Sequence, residues 1–225
     1  MIDSTLETAA ARLAAINAAI AREATVAGRD PAAVDLVAVS KTWGADAIAP
    51  LIAAGQRSFG ENRISEAQAK WPALRAETPG IRLHLVGQLQ SNKAAEAVAM
   101  FDVIHSVDRP SLVAALARAV AAQGRSPACL VQVNIGAEPQ KGGVAIADTA
   151  ALVAEARAAG LDVTGLMCVP PAGMEAAPFF ALLQKLAREL GLAETSMGMS
   201  GDFETAVLMG ATMVRVGSAL FGTRT

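Results

Sequence analysis

Apolar residues along this chain follow two spacings in turn. Short dense runs such as Leu36-Val37-Ala38-Val39 and Met213-Val214-Arg215-Val216 alternate with longer stretches in which Leu, Ile and Ala recur every third or fourth position. Dense runs read as strands buried on both faces, and the longer spacing reads as amphipathic helix. Strands are therefore expected near 36–41, 58–62, 83–87, 102–107, 128–135, 163–169, 194–199 and 213–217. Helices are expected between them, near 45–54, 63–76, 91–99, 109–122, 144–159, 174–190 and 202–209. Glycines at 55, 124, 160, 191 and 210 punctuate the helix ends. One more helix should come first. Ser4-Thr5-Leu6-Glu7 has the form of a capping box, with Leu6, Leu13, Ile16 and Ile20 at helical spacing up to about Ala27.

A closed barrel and a doubly wound open sheet both repeat this strand–helix unit. Eight strands at a spacing of roughly 25 residues match a compact barrel. No Ser/Gly-rich linker or shift in composition divides the chain. The expected fold is α/β: a single (β/α)8 TIM-type barrel domain over residues 1–225, preceded by the N-terminal helix.

Strand phase then places the polar residues. Side chains alternate across a strand, so Val37, Val39 and Lys41 share one face and Leu36, Ala38 and Ser40 the other. Met213, Arg215 and Gly217 likewise oppose Val214 and Val216. The faces that carry only apolar residues should meet the helices. Lys41 and Arg215 then point inward near the C-terminal rim, where such barrels keep their chemistry. A lysine at a strand end can simply snorkel into water. Partly desolvated, it is instead richer in the free base that condenses with carbonyls. A buried guanidinium needs a partner, either a structural carboxylate or a ligand. Glu61 is the one acid at a neighbouring strand end, which favours a ligand.

The last two strands each run into a turn of small residues that opens a helix: Ser196-Met197-Gly198-Met199-Ser200-Gly201-Asp202, then Gly217-Ser218-Ala219-Leu220-Phe221-Gly222. Helix starts expose unpaired N–H groups, glycine admits close approach, and barrels commonly bind phosphate after strands seven and eight. Alternatively, Ser200 only caps the helix that begins near Asp202.

Composition narrows the classes. A formal charge of −2 leaves no basic footprint for nucleic acid, and no apolar run is long enough to span a membrane. The N-terminus is acidic and polar, unlike a signal peptide. Cys129 and Cys168 stand singly in strand candidates, as buried free thiols of a reducing cytoplasm would. His84 and His105 are the two histidines, neither beside a cysteine or an acidic pair, so no metal site is expected.

An inward lysine, an inward arginine and two phosphate-shaped turns suit an aldehyde that carries a phosphate, and pyridoxal 5′-phosphate is the common cofactor of that kind. Lys41 would form the Schiff base, the turns at Ser200 and Gly217-Ser218 would hold the phosphate, and Arg215 would face the ring nitrogen. Arginine stays protonated, so the nitrogen opposite it should not be, which makes a weak electron sink.

The motifs carrying these residues are Val39-Ser40-Lys41-Thr42, Phe59-Gly60-Glu61-Asn62, His84-Leu85-Val86-Gly87, Leu89-Gln90-Ser91-Asn92-Lys93, Gln132-Val133-Asn134-Ile135, Gly165-Leu166-Met167, Ser196-Met197-Gly198-Met199-Ser200 and Met213-Val214-Arg215-Val216-Gly217. From about residue 36 onward the chain resembles, in order and at every strand end, the pyridoxal phosphate homeostasis proteins. That family is similar in fold to the barrel domain of alanine racemase. The resemblance implies cofactor binding through Lys41, with Asn62 beside the ring and Ser200, Gly217 and Ser218 at the phosphate. Ser218 stands where the family often has threonine, and Arg63 where an aromatic is frequent. Lys141 reads as a rim charge, Lys93 as a solvated lysine at a helix start, and His84 as either a core histidine or a ring contact.

Two functions compete. One is a non-catalytic cytoplasmic carrier that takes part in cofactor homeostasis, with apo forms of pyridoxal-phosphate enzymes as candidate recipients. The other is a racemase-like enzyme. The resemblance of alanine racemase implies a tyrosine from a second domain as its second base. This chain has no tyrosine, and its sequence stops directly after the last expected helix, which favours the carrier. A Schiff-base aldolase would place its lysine later in the barrel. The family resemblance suggests a monomer.

Overall fold

The computed structural model describes residues 8–222. Helix α1 (Ala9–Val26) starts after Thr8, whose hydroxyl accepts the Ala11 amide hydrogen at 3.1 Å. The capping box expected at 4–7 lies outside the described residues. Eight strands follow: β1 (Asp35–Val39), β2 (Ser58–Glu61), β3 (Arg82–Leu85), β4 (Val103–Val107), β5 (Ala128–Val133), β6 (Asp162–Cys168), β7 (Glu194–Ser196) and β8 (Met213–Val216). All pair in parallel with their sequence neighbours, and β8 closes on β1 with Asp35 opposite Met213 and Ala38 opposite Val216. Closure excludes the open sheet. The eight-stranded parallel barrel expected from the strand spacing is the fold observed.

The connections carry α2 (Ala45–Ala53), α3 (Ile64–Glu77), α4 (Ala94–Met100), α5 (Pro110–Gln123), α6 (Thr149–Ala158), α7 (Ala177–Glu189) and α8 (Phe203–Leu208), and α9 (Ser218–Phe221) follows β8. Helices α4 and α6 begin later than the spacing predicts, because 3₁₀ turns at Ser91–Lys93 and Ile146–Asp148 take up their first residues. Two strands stop early for a backbone reason. Beyond β1, Thr42 has φ 67°, and beyond β7, Gly198 has φ 88°, left-handed values that cannot continue a ladder. A Cβ on Gly198 would collide with Ala206 of α8, so this bend also needs glycine for packing.

Apolar residues form two layers. Phe59, Trp71, Phe101 and Phe180 are fully buried between strands and helices. Val37, Val103, Leu130, Met167 and Met213 fill the barrel interior. Val37 and Met213 thus point inward, while Leu36, Ala38, Val214 and Val216 join the outer layer, as the alternation requires. Helix α1 packs on α8 and α9, and the Arg12 Nε donates to the Leu220 carbonyl at 2.6 Å. Cys129 and Cys168 are free and buried, and burial pushes both thiols up to about 12. Among the described residues no helix is long and apolar enough to cross a membrane.

Candidate functional site

At the C-terminal rim, β1, β2 and β8 and the turns after β7 and β8 border a cavity of about 490 Å³. Lys41, Asn62, Ser200, Arg215, Gly217 and Ser218 all line it. The sequence-predicted residues, drawn from four strand ends, converge on one space. Val39 lines it from the face that strand phase gave to Lys41, and Val86, Val169 and Met199 add apolar walls that strand reasoning did not single out.

Lys41 sits two residues beyond β1, on a turn rather than on the strand itself. Lys41 is exposed, where a strand-end lysine is expected to be partly desolvated. The turn is held from below. Lys70 of α3 donates to the carbonyls of Ser40 at 2.8 Å and Trp43 at 2.9 Å, and pairs with Glu61 at 2.8 Å. Glu61 Oε1 also accepts from Ser40 Oγ at 2.5 Å and Trp71 Nε1 at 3.0 Å. Glu61, the acid singled out as a neighbour for Arg215, therefore faces the helix layer and serves the Lys41 turn instead. The Thr42 amide donates to Glu66 Oε2 at 3.0 Å, and Trp43 stacks on Phe221 with ring centroids 5.5 Å apart.

Arg215 points inward as expected and is only 5% exposed. Its Nη1 donates to Ser196 Oγ at 2.6 Å and its Nη2 to the Cys168 carbonyl at 2.8 Å. Burial lowers its pKa from the ordinary value, against smaller opposing effects of Cys168 and Asp202. The hydroxyl and the carbonyl are both neutral, and a guanidinium has five N–H donors. The cavity thus holds a buried cation with donors to spare, and among the described residues no carboxylate pairs with it.

Ser200 does not cap α8. Its Oγ accepts the Gly217 amide hydrogen at 3.2 Å, which ties the two turns together and frees the hydroxyl proton to donate elsewhere. Asp202 sits at the N-cap position, where its Oδ1 accepts the Met199 amide hydrogen at 2.6 Å. Among the described residues, the amides of Ser200, Gly201, Ser218 and Ala219 donate to no protein acceptor. A Cβ on Gly217 would come within 3.2 Å of the Val39 carbonyl oxygen, so glycine keeps this turn close to β1. Gly87 does similar work for Asn62, whose backbone a Cβ there would strike.

Three polar residues stand outside this cavity. His84 is buried in the barrel interior, its Nδ1 2.9 Å from His105 Nε2, and it does not line the cavity. Lys93 pairs with Glu96 at 2.7 Å and borders, with Arg63, a neighbouring cavity of about 440 Å³. Lys141 pairs with Glu138 at 2.6 Å and donates to the Pro170 carbonyl at 2.9 Å. The sequence reading gave no role to Lys70, Ser196 or His105. For Ser196 a signal existed: it is polar on a buried strand, in phase with Gly198 and Ser200.

An exposed amine, a buried cation and unpaired amide and hydroxyl donors suit a small ligand that carries a carbonyl and an anionic group. Comparison with known proteins bears on which ligand. Residues 12–225 match the family model described as alanine racemase, N-terminal domain. A protein of Pseudomonas aeruginosa named pyridoxal phosphate homeostasis protein is 43% identical over 227 residues, covering 97% of each chain. The protein of that name from Deinococcus radiodurans is 42% identical, covering 92% of this chain and 98% of its own. The structure of PipY from Synechococcus elongatus, described as having PLP bound, superposes with a TM-score of 0.78 at 41% identity, covering 90% of this chain and all of that one.

Proposed function

Because the chain belongs to the pyridoxal phosphate homeostasis protein family, we propose that the rim cavity binds pyridoxal 5′-phosphate as a Schiff base on Lys41 and acts as a cytoplasmic reservoir of the cofactor, not as an enzyme. The observation that carries this reading is the convergence of Lys41, Arg215, Ser200 and Ser218 on one cavity. The PLP described in PipY supports the choice of ligand.

The residues fit the group. When bound, pyridoxal phosphate supplies an aldehyde, a phosphate and a pyridine nitrogen that withdraws electrons when protonated. Lys41 offers the amine for the aldehyde. The hydroxyls of Ser200 and Ser218, with the unpaired amides of their turns, offer donors for the phosphate, and Gly217 lets backbone approach it. Asn62, which lines the cavity, would lie beside the ring. Arg215 would donate toward the nitrogen, and its charge would oppose protonation there. The cofactor is held while its capacity to stabilise carbanions is kept low. With no tyrosine in the sequence, the tyrosine of two-base racemisation has no counterpart. Apo forms of pyridoxal-phosphate enzymes are the natural recipients, and the protein acts as a monomer without membrane or nucleic acid.

Borohydride reduction of the protein loaded with pyridoxal phosphate, followed by peptide mapping, tests the anchor. The label should fall on Lys41 and vanish in Lys41→Ala with the fold retained. Label mainly on Lys93 or Lys141 would overturn the assignment.

A further inference from the structure

Two histidines lie inside the barrel, and the cofactor reading uses neither. They stand in line with Arg215. Arg215 Nη1 is 2.6 Å from Ser196 Oγ, Ser196 Oγ is 2.9 Å from His105 Nδ1, and His105 Nε2 is 2.9 Å from His84 Nδ1. All four residues are buried. The line ends at His84 Nε2, which has no hydrogen-bond partner and lies 3.9 Å from Asp35 Oδ2, at the N-terminal end of β1.

Counting donors gives the line a direction. A guanidinium only donates, so Ser196 Oγ accepts from it. The serine has one proton to place, and His105 Nδ1 is its other neighbour. Were His105 to donate to the serine instead, that proton would be buried without an acceptor, which costs free energy. Ser196 therefore donates to His105 Nδ1. A neutral His105 then carries its proton on Nε2 and donates to His84 Nδ1, and His84 carries its own on Nε2, where the Asp35 carboxylate 3.9 Å away favours a proton over a lone pair. Neutrality has a physical basis. Burial, then Arg82, pushes His84 down to about 3. Burial, then His84, Arg215 and Arg82, holds His105 well below its ordinary value.

We infer that Ser196 and His105, backed by His84, are positioning residues that hold the Arg215 guanidinium against the cavity floor through a one-way hydrogen-bond chain running down the barrel interior. The inference rests on the cofactor reading for what Arg215 faces, but not for the direction of the chain. Neutral acceptors fix the cation without cancelling its charge, which a carboxylate in the place of Ser196 would do.

The unliganded protein gives the first test. In an imidazole ¹⁵N–¹H correlation spectrum both rings should be neutral Nε2–H tautomers, unchanged between about pH 5.5 and 8. An Nδ1–H tautomer at His105, or titration of either ring in that range, overturns the chain. The second test compares pyridoxal phosphate with its carbocyclic analogue, in which C–H replaces the ring nitrogen. Ser196→Ala and His105→Leu should cut the preference for the nitrogen-bearing ligand by on the order of tenfold. Ser196→Thr, which keeps the hydroxyl, should restore it. Equal losses for both ligands in Ser196→Ala would overturn the positioning role. Failure of the parent protein to bind pyridoxal phosphate would refute the cofactor reading, and the positioning role with it, while the imidazole spectrum still judges the chain itself.

Discussion

Replacing Lys70 with methionine should destabilise this protein more than most helix-surface changes, and the structure gives the reason. Lys70 is 11% exposed and Glu61 fully buried, with 2.8 Å between ammonium and carboxylate. Without Lys70, Glu61 Oε1 keeps two neutral donors, Ser40 Oγ and Trp71 Nε1, while Oε2 has none even in the parent. Breaking a buried pair from one side costs about 3–5 kcal/mol. The residual exposure of Lys70 lets water approach the vacated site, which argues for the lower end. Adding Glu61→Gln removes the stranded charge and keeps an oxygen for the serine and the indole. The double variant should therefore regain about 1–2 kcal/mol over Lys70→Met alone. Urea unfolding of the unliganded protein, at fixed pH and with unchanged slope, measures both. Lys70 also holds the carbonyls on either side of Lys41, so the Trp43 amide, bonded to Ser40, should exchange its hydrogen faster in Lys70→Met. A loss below about 1 kcal/mol would place this pair with ordinary surface ion pairs and refute the argument.

Ser200→Ala and Ser218→Ala should each weaken retention of pyridoxal phosphate by about 1–3 kcal/mol in a dialysis assay, and pyridoxal without its phosphate should bind far worse. Equal affinity for both forms would remove the phosphate role of the two turns. Loaded protein incubated with L-alanine in heavy water should form no D-alanine at enzymatic rates, and turnover near roughly one per second would make the chain a catalyst. Acid should destabilise the fold in a histidine-dependent way. His84 titrates near 6.5 unfolded and at about 3 folded, so the unfolded state binds more protons between those values and stability falls as pH drops through them. His84→Gln should flatten that part of a stability–pH curve, and an unchanged slope would contradict the burial argument. Cys129 and Cys168 should react with thiol reagents only on unfolding, since burial pushes both thiols up to about 12.

What could be read from the sequence was set by local periodicity. The two-residue repeat of β1 and β8 sent Val37, Met213 and Arg215 inward, and dense apolar runs marked eight strands. Lys41, Arg215 and the two turns at Ser200 and Gly217-Ser218 followed from strand ends, and Asn62 only from the family resemblance. What could not be read depends on how elements sit against each other. Glu61 closes an all-buried strand, and only the rotation of α3 places Lys70 and Trp71 over it rather than leaving it to Arg215. The His84–His105 contact depends on a stagger in which His84 pairs with Val103, and on the irregular register of β4 between Ile104 and Val107. Neither leaves a trace in a single strand's pattern. Lys41 lines the cavity as its phase suggested, but from a turn: Thr42 at φ 67° ends the extended run that the alternation extrapolated to residue 41.

The closure of β8 on β1 has a consequence for assembly. Lys41 follows the first strand made and Ser218 the last, so the two meet only when the barrel's final seam forms. A ligand held by both therefore recognises the sealed cylinder and no partly wound precursor, and its binding free energy falls on the sealing step. On a ribosome the pocket comes into being only after β8 and the turn behind it have emerged. Long-range pairings of this kind are slow to find. Cofactor supply would then act on the newly made protein as a latch across its seam, trapping finished barrels and leaving unfinished ones to quality control.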